Sequence, residues 1–283
     1  MCASCDNFRE RGSRTVTFAD AKNRFSNRVA DYLRYRPHYP SGVIDLMRAQ
    51  CHLFPTHVIA DIGSGTGFLS ELFLKNDNPV YGIEPNREMR SAGEEYLAAY
   101  PRFTSVEGSA EATTLADSSV DVVTAGQAFH WFEPNAARRE FTRILRPFGW
   151  IAIIWNDRNI ATTGFAHAYE DLLLRFGTDY ARVKDSYPRA EDIRAFFYHD
   201  NFATRELPNR QVFDLDGLKG RLRSSSYVPP QDHPNFAPMM AELDKLFAAN
   251  QQDSHVSLEY STVVYLGQLR PDHTALAPGS VPS

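Results

Sequence analysis

Between Val58 and Leu74 the chain reads VIADIGSGTGFLSELFL: an apolar run ends near Asp61, three glycines follow at alternate positions, and a helix-like pattern resumes. Glycine tolerates positive φ and carries no side chain to hold a ligand at a distance. Gly63, Gly65 and Gly67 therefore mark a turn pressed against something bound. The spacing narrows what that is. A dinucleotide fingerprint, G-x-G-x-x-G counted from Gly63, requires glycine where the chain has Phe68. No G-K-[ST] follows to hold a triphosphate. The pattern is D-x-G-x-G-x-G.

Two other stretches carry residues suited to chemistry. GQAFHW places His130 beside Trp131, and an unperturbed imidazole, with a pKa of about 6.5, suits proton removal near neutrality; the alternative is that the pair builds a pocket wall. LKGRLRSSSYVPP gathers Arg221, Arg223, three serines and Tyr227, which suit a small molecule bearing carboxylate or hydroxyl groups. A solvated amphipathic helix ending in a Ser-rich turn explains the same stretch.

The elements that must position these residues are legible in the first half. Short β-rich runs, HVIAD (57–61), PVYGIE (79–84), FTSVEG (103–108), VDVVTA (120–125) and GWIAIIW (149–155), alternate with helical patterns. Such alternation predicts a parallel sheet covered by helices on both faces. Asn86 is a cap for one helix, and Pro134 opens another that ends at Arg146-Pro147. After Trp155 the rhythm changes to two helical stretches, about 164–200 and 216–250, around a strand near 204–213, with a last strand, VSLEYSTVVYLGQL, closing the fold. The expectation is an α/β, Rossmann-like, seven-stranded, mostly parallel sheet with a helical cap over the strand ends. The divisions are a tail to residue 24, a core at 25–157, cap segments at 158–202 and 216–255, final strands at 203–215 and 256–270, and a tail from 271.

The chain has 283 residues, 43% hydrophobic and 23% charged, as folded proteins do. A net charge of -5 offers no positive field for nucleic acid. No apolar run approaches the roughly 20 residues that span a bilayer, and no signal peptide is read at the start, so cytoplasmic residence is expected. Cys2, Cys5 and Cys51 make no disulfide framework, and Cys2-x-x-Cys5 lacks a second ligand pair for zinc. No metal is expected. A monomer or weak dimer is.

With Asp61 to Gly67 in view, the stretch resembles motif I of the class I S-adenosylmethionine-dependent methyltransferases. That cofactor has no phosphate and presents a cationic amine and a sulfonium, which an acidic loop suits. The resemblance implies that Asp61 lies near the methionine portion and that the glycines make room for methionine and ribose. Glu84 falls where the family places a carboxylate accepting from both ribose hydroxyls. EGSAEATTL matches the stretch that borders adenine, with Ser109 standing where the family commonly has an acidic residue and Ala110 beside it. AGQAFHWF, which brings Gln127 to the cofactor, and LRPFGWIAII follow at the spacing of the methyltransferase type 11 group.

The resemblance covers roughly Tyr32 to Trp155. YLRYRPHYP is similar to the entry segment of small-molecule members such as trans-aconitate methyltransferase, which implies that Tyr35 and Arg36 touch the carboxylate end of the cofactor; surface packing is the other reading. Methyl transfer to a small-molecule acceptor follows, at a carboxylate or hydroxyl oxygen, with His130 as base and Trp131, Arg223 and Tyr227 at the acceptor. Two alternatives stay open: a catalytically silent domain that binds the same cofactor, and a nicotinamide-dependent dehydrogenase, which the missing sixth-position glycine opposes.

Overall fold

A computed structural model describes residues 29–161, 163–185, 187–197 and 201–269. The Cys2 and Cys5 pair and both expected tails lie outside these residues. Seven apolar segments pair into one sheet: β1 (Ile59–Ile62), β2 (Val80–Ile83), β3 (Phe103–Val106), β4 (Val120–Gly126), β5 (Leu145–Arg158), β6 (Phe202–Phe213) and β7 (Val256–Gly267). Their order is β3-β2-β1-β4-β5-β7-β6. The first five run parallel, and β7 runs antiparallel to both β5 and β6. All four residues of β1 are buried, as a central strand covered on both faces requires.

The helices are α1 (Val29–Tyr35), α2 (Gly42–Cys51), α3 (Phe68–Leu74), α4 (Arg87–Tyr96), α5 (Pro134–Ile144), α6 (Gly164–Phe176), α7 (Tyr180–Asp185), α8 (Ala190–Phe196), α9 (Leu215–Arg223) and α10 (Phe236–Asn250). Local chemistry sets their starts. The Asn86 side chain accepts from the N–H groups of Glu88 and Met89 at 3.0 and 3.1 Å and so caps α4. Pro134 opens α5, whose first amides are satisfied by the Glu133 carboxylate.

Two apolar layers sandwich the sheet. Val43, Met47 and Phe73 from α2 and α3 cover one face; Phe141 and Ile144 from α5 cover the other, together with Phe196 and Phe197. A third cluster joins Leu172 and Leu173 of α6, Leu218 and Leu222 of α9 and Leu243 of α10 to Leu258 and Tyr260 of β7. The long β6–β7 pair, running from Phe202 and Gly267 to Phe213 and Val256, thus carries the cap outward from the sheet.

Two expectations are corrected here. Residues 190–197, assigned to the cap, pack on the sheet: Ile193, Phe196 and Phe197 belong to the same apolar layer as Phe141, and the Phe129 and Phe196 rings meet edge-on at 5.0 Å. And β5 begins at Leu145, not Gly149. Leu145 pairs with Val120, after which the register shifts and Phe148 takes a left-handed φ of 66°.

Among the described residues no helix is long and apolar enough to cross a membrane.

Candidate active site

The glycine loop follows β1 and is strung between two carboxylates. Asp61, at the end of β1, accepts from Ser70 Oγ at 2.7 Å and Thr124 Oγ1 at 3.1 Å. Burial outweighs these donors and pushes its carboxyl up to about 6. Glu84, just beyond β2, accepts the N–H of Gly65 at 2.9 Å and that of Asn86 at 2.8 Å. Burial raises this carboxyl as well.

Gly63 and Gly67 hold φ values of 67° and 89°. A Cβ on Gly63 would stand 2.7 Å from Ala128 Cβ, and one on Gly67 would stand 2.5 Å from Leu97 Cδ1. Both positions are glycine because of backbone twist and the chain's own packing. That differs from the expectation that they clear space for a ligand.

Above the loop lies a cavity of about 310 Å³. Its floor includes Asp61, Gly63, Gly65 and Gln127. Gln127 is a non-glycine residue at φ 55°, with its Nε2 donating to Asn156 O at 3.1 Å. A left-handed residue at the mouth of a parallel strand is the kind of strain that active sites keep. Five enclosed polar atoms on the wall have no protein partner among the described residues: Arg36 Nε, Thr66 Oγ1, Gln127 Oε1, His130 Nδ1 and Arg158 Nε. Buried polar groups are ordinarily satisfied, so these donors and acceptors mark where a polar ligand fits.

The roof comes from both ends of the chain. Tyr32 and Arg36 close one side, with the guanidinium 5.1 Å from the Tyr32 ring centroid. Asn156 anchors the segment beyond them: its Nδ2 lies 3.4 Å from His38 O and its Oδ1 accepts from Thr262 Oγ1 at 2.5 Å. From the cap, Tyr180 and Lys184 of α7, Arg221 of α9 and then Tyr227 complete the enclosure.

The roof holds more cations than it pairs. Glu170 of α6 takes hydrogen bonds from Arg158 and from Lys184 Nζ and Tyr180 OH, the last two both at 2.6 Å. Burial alone would raise its carboxyl, but these three bring it below the usual range. Arg221 has no such partner. It is 4% exposed, donates to Ser225 Oγ at 3.0 Å and lies 3.4 Å from Tyr260 OH, and among the described residues no carboxylate pairs with it. Among the described residues Arg36 likewise donates to a carbonyl, Ser224 O, at 3.1 Å and pairs with no carboxylate. A desolvated guanidinium without an anion is costly by several kcal/mol.

The structure brings Asp61, Gly63, Gly65, Gln127, Arg36, His130, Trp131 and Tyr227 to one cavity, and leaves the other expected residues off its wall. Tyr35 faces away: its ring packs on Gly220 of α9, and its carbonyl accepts from Gln211 Nε2 at 3.0 Å. Tyr32, one helical turn earlier, stands in its place. Arg223 points outward to Asp31 at 3.4 Å, and Arg221 is the inward one. Gly67 and Glu84 support the loop from behind. Ser109 pairs through its backbone with Ala112, and Ala110 is buried.

His130 also departs from expectation. Burial pushes its pKa down to about 3, with no partner to oppose the shift. Its ring lies 4.5 Å from that of Trp131 and edge-on to Trp155 at 5.2 Å. So weak a base is poorly matched to removing a proton near neutrality.

Sequence reasoning missed Arg158, Glu170, Tyr180 and Lys184. Arg158 ends β5, and the rule that ligands sit at the carboxyl ends of strands points to it. Glu170 interrupts an otherwise apolar helix face between Tyr169 and Leu173, an anomaly visible in the sequence.

Comparison with known proteins agrees with this geometry. Residues 60–153 match the family model described as a methyltransferase domain. An uncharacterized methyltransferase of Mycobacterium bovis is 30% identical over 71% of this chain and 78% of its own. An uncharacterized methyltransferase-like protein of Schizosaccharomyces pombe is 26% identical over 87% of this chain and 96% of its own. Among solved structures, one described as a type II methyltransferase from Anaeromyxobacter dehalogenans shares the fold with a TM-score of 0.60 at 20% identity, covering 84% of this chain and 99% of that one. The chain belongs to the class I S-adenosylmethionine-dependent methyltransferases.

Proposed function

We propose that the enzyme methylates an oxygen of a small acceptor that carries a carboxylate or similar anionic group. The observation that carries this reading is Arg221, a buried guanidinium that faces the cavity without a carboxylate partner. An acceptor anion completes its charge and takes a paired, charge-assisted hydrogen bond that Lys would not reproduce.

S-adenosylmethionine, when bound, supplies a methyl group already activated on a sulfonium sulfur. The residues present suit it. Asp61 faces the cationic amino end, and Arg36, through its unpartnered Nε, serves the carboxylate end. Gln127 Oε1 and Thr66 Oγ1 supply further polar contacts beside the loop. Glu84, Ser109 and Ala110 stand off the cavity wall; Glu84 would accept from the ribose hydroxyls with lone pairs beyond those taken by Gly65 and Asn86, and Ser109 and Ala110 would border the adenine. Gly63, Gly65 and Gly67 hold the turn. Trp131 and Trp155 form an aromatic wall that keeps water from the reacting atoms. The protein's contribution is then positioning and desolvation, effects of the size that proximity alone supplies.

The test is transfer of a labelled methyl group to a panel of small carboxylic acids, hydroxy acids, alcohols and amines. Label is expected in oxygen-bound methyl on acidic acceptors. Arg221→Gln should raise the acceptor KM by roughly 10- to 100-fold, as loss of a charged hydrogen bond does, with cofactor affinity unchanged. Efficient methylation of uncharged amines, with acids inert, would overturn the reading.

A further inference from the structure

Arg158, at the end of β5, brings a further guanidinium to the cavity, and the cap grips it from two directions. Consecutive residues of α6 do most of this. Arg158 Cζ lies 5.1 Å from the centroid of the Tyr169 ring, which covers one face of the guanidinium. The buried Glu170 carboxylate accepts from Nη2. Tyr180 OH of α7 also accepts from Nη2, at 2.8 Å, and donates to the same Glu170 oxygen at 2.6 Å. Lys184 Nζ donates to the other Glu170 oxygen at 2.6 Å. Both carboxylate oxygens are thus engaged, and the planar guanidinium is held at its face and at one nitrogen.

Its Nε is left over. That atom is enclosed, belongs to a residue of the cavity wall, and has no partner among the described residues. Enclosed donors are ordinarily satisfied, so this N–H marks where a ligand oxygen fits. Position assigns the oxygen to the acceptor. Asp61 and the glycine loop serve the cofactor, whereas Arg158 is fixed by the cap, as Arg221 is. Arg158 is paired in register with Tyr260 across β5 and β7, so their side chains share a face of the sheet, and Tyr260 OH lies 3.4 Å from Arg221 Nε. The two arginines flank Tyr260 on one side of the cavity.

Charge separates their tasks. Arg221 pairs with no carboxylate among the described residues and suits an anion. The charge of Arg158 is answered by Glu170, so its Nε suits an oxygen whether or not that oxygen carries charge. We propose that Arg158, positioned by Glu170, is a second anchor for the acceptor, and that the acceptor is a bifunctional acid with a carboxylate on Arg221 and another oxygen-bearing group on Arg158. This rests on the anionic-acceptor reading above. One anchor lets a small molecule swivel, whereas two fix the angle at which its reacting oxygen meets the methyl group, as in-line displacement requires.

The experiment compares acceptor kinetics on the full chain for small acids matched in length, one a plain monocarboxylate and the other carrying an added hydroxyl, carbonyl or carboxylate. The wild-type protein should favour the bifunctional member by roughly 10- to 100-fold in kcat/KM, the size of a hydrogen bond from a charged donor. Arg158→Met should abolish that preference while the cofactor Kd by calorimetry stays unchanged. Glu170→Gln, which keeps Arg158 but loosens it, should raise KM for the bifunctional acid and leave that of the monocarboxylate alone; a residue that only supported the fold would move both alike. Should Arg158→Met not fold because it strands the Glu170 carboxylate, the double variant Arg158→Met with Glu170→Gln removes both charges together and should show the same loss of preference. No preference in the wild-type protein, or a preference that survives in Arg158→Met or in the double variant, overturns this proposal and leaves the anionic-acceptor reading standing. A weakened cofactor Kd in Arg158→Met also overturns it, because Arg158 would then serve the cofactor. Methylation confined to uncharged acceptors overturns both.

Discussion

Glu84 Oε2 accepts the main-chain N–H of Gly65 at 2.9 Å, so the carboxylate beyond β2 holds the glycine loop beyond β1. Its other oxygen takes the N–H of Asn86, the residue that caps α4. One side chain therefore fixes two neighbouring backbone segments. Glu84→Ala should weaken cofactor binding by about 1.5 to 3 kcal/mol, the range for a charged hydrogen bond, or roughly 10- to 100-fold in Kd. Calorimetry with S-adenosylhomocysteine measures this directly. An unchanged Kd would refute the role of Glu84.

Asp61 should make cofactor affinity depend on pH. Burial raises its carboxyl to about 6, whereas the unfolded chain has the ordinary value of about 4. Between these values the folded protein binds the proton more tightly, so the stability of the ligand-free protein falls as pH rises through that window. Cofactor binding has the opposite sign, because a cationic amine favours the ionised carboxylate. Affinity should rise as pH climbs through about 6 and then level off, and Asp61→Asn should remove the slope. A calorimetric affinity that is flat across the window in the wild-type protein would count against placing the amine there.

How much of this was legible in the sequence depended on where a residue's partners lie. β1, the glycine turn and the cap at Asn86 are local features, written in adjacent residues, and each was readable there. Gln127 fell within a motif. The cap could not be read this way. Whether Arg221 or Arg223 faces inward depends on the rotation of α9 against α1, and α1 lies some 190 positions away in the chain. Tyr35 and Tyr32 are exchanged for the same reason, since the face that α1 presents is chosen by Gly220 on α9. The residues 190–197 were assigned to the cap by proximity in sequence, whereas Ile193, Phe196 and Phe197 find their apolar surface under the sheet. Long-range packing decided these positions, and composition does not encode it.

The same contact between α1 and α9 yields a stability prediction. A Cβ on Gly220 would stand 2.1 Å from Tyr35 Cε2. Helix propensity favours alanine over glycine by about 1 kcal/mol. The overlap works against it, because overpacking typically costs about 1 to 3 kcal/mol and the ring has the Arg34 guanidinium over it. Gly220→Ala should lower Tm and, by loosening the segment that carries Arg36 over the cavity, speed cofactor dissociation. Thermal unfolding and stopped-flow release of the cofactor test the two parts, and a higher Tm with unchanged release would show that α1 does not brace the roof.

Acid stability should trace to a cluster outside the cavity. Glu140 Oε1 accepts from Thr113 N at 2.7 Å, Thr113 Oγ1 at 2.5 Å and Arg143 Nη2 at 2.7 Å, while Arg143 also reaches Asp117 at 2.6 Å. The Arg143 hydrogen bond is the largest influence, and against the effect of burial the set holds the Glu140 carboxyl at about 2. A folded value below the unfolded one places the stabilisation above about pH 4.3, and it is lost as pH falls toward about 2. Linkage sets a ceiling of about 3 kcal/mol for such a shift. Arg143 is 36% exposed, so solvent screens its charge and roughly 1 to 2 kcal/mol is the expected share. Glu140→Gln should therefore have a lower Tm than the wild-type protein near neutrality, and the gap should close on acidification as the wild-type carboxylate takes its proton. If the gap stayed constant down to the lowest pH at which both proteins fold, Glu140 would be acting through shape alone, and its charge would carry none of the stability.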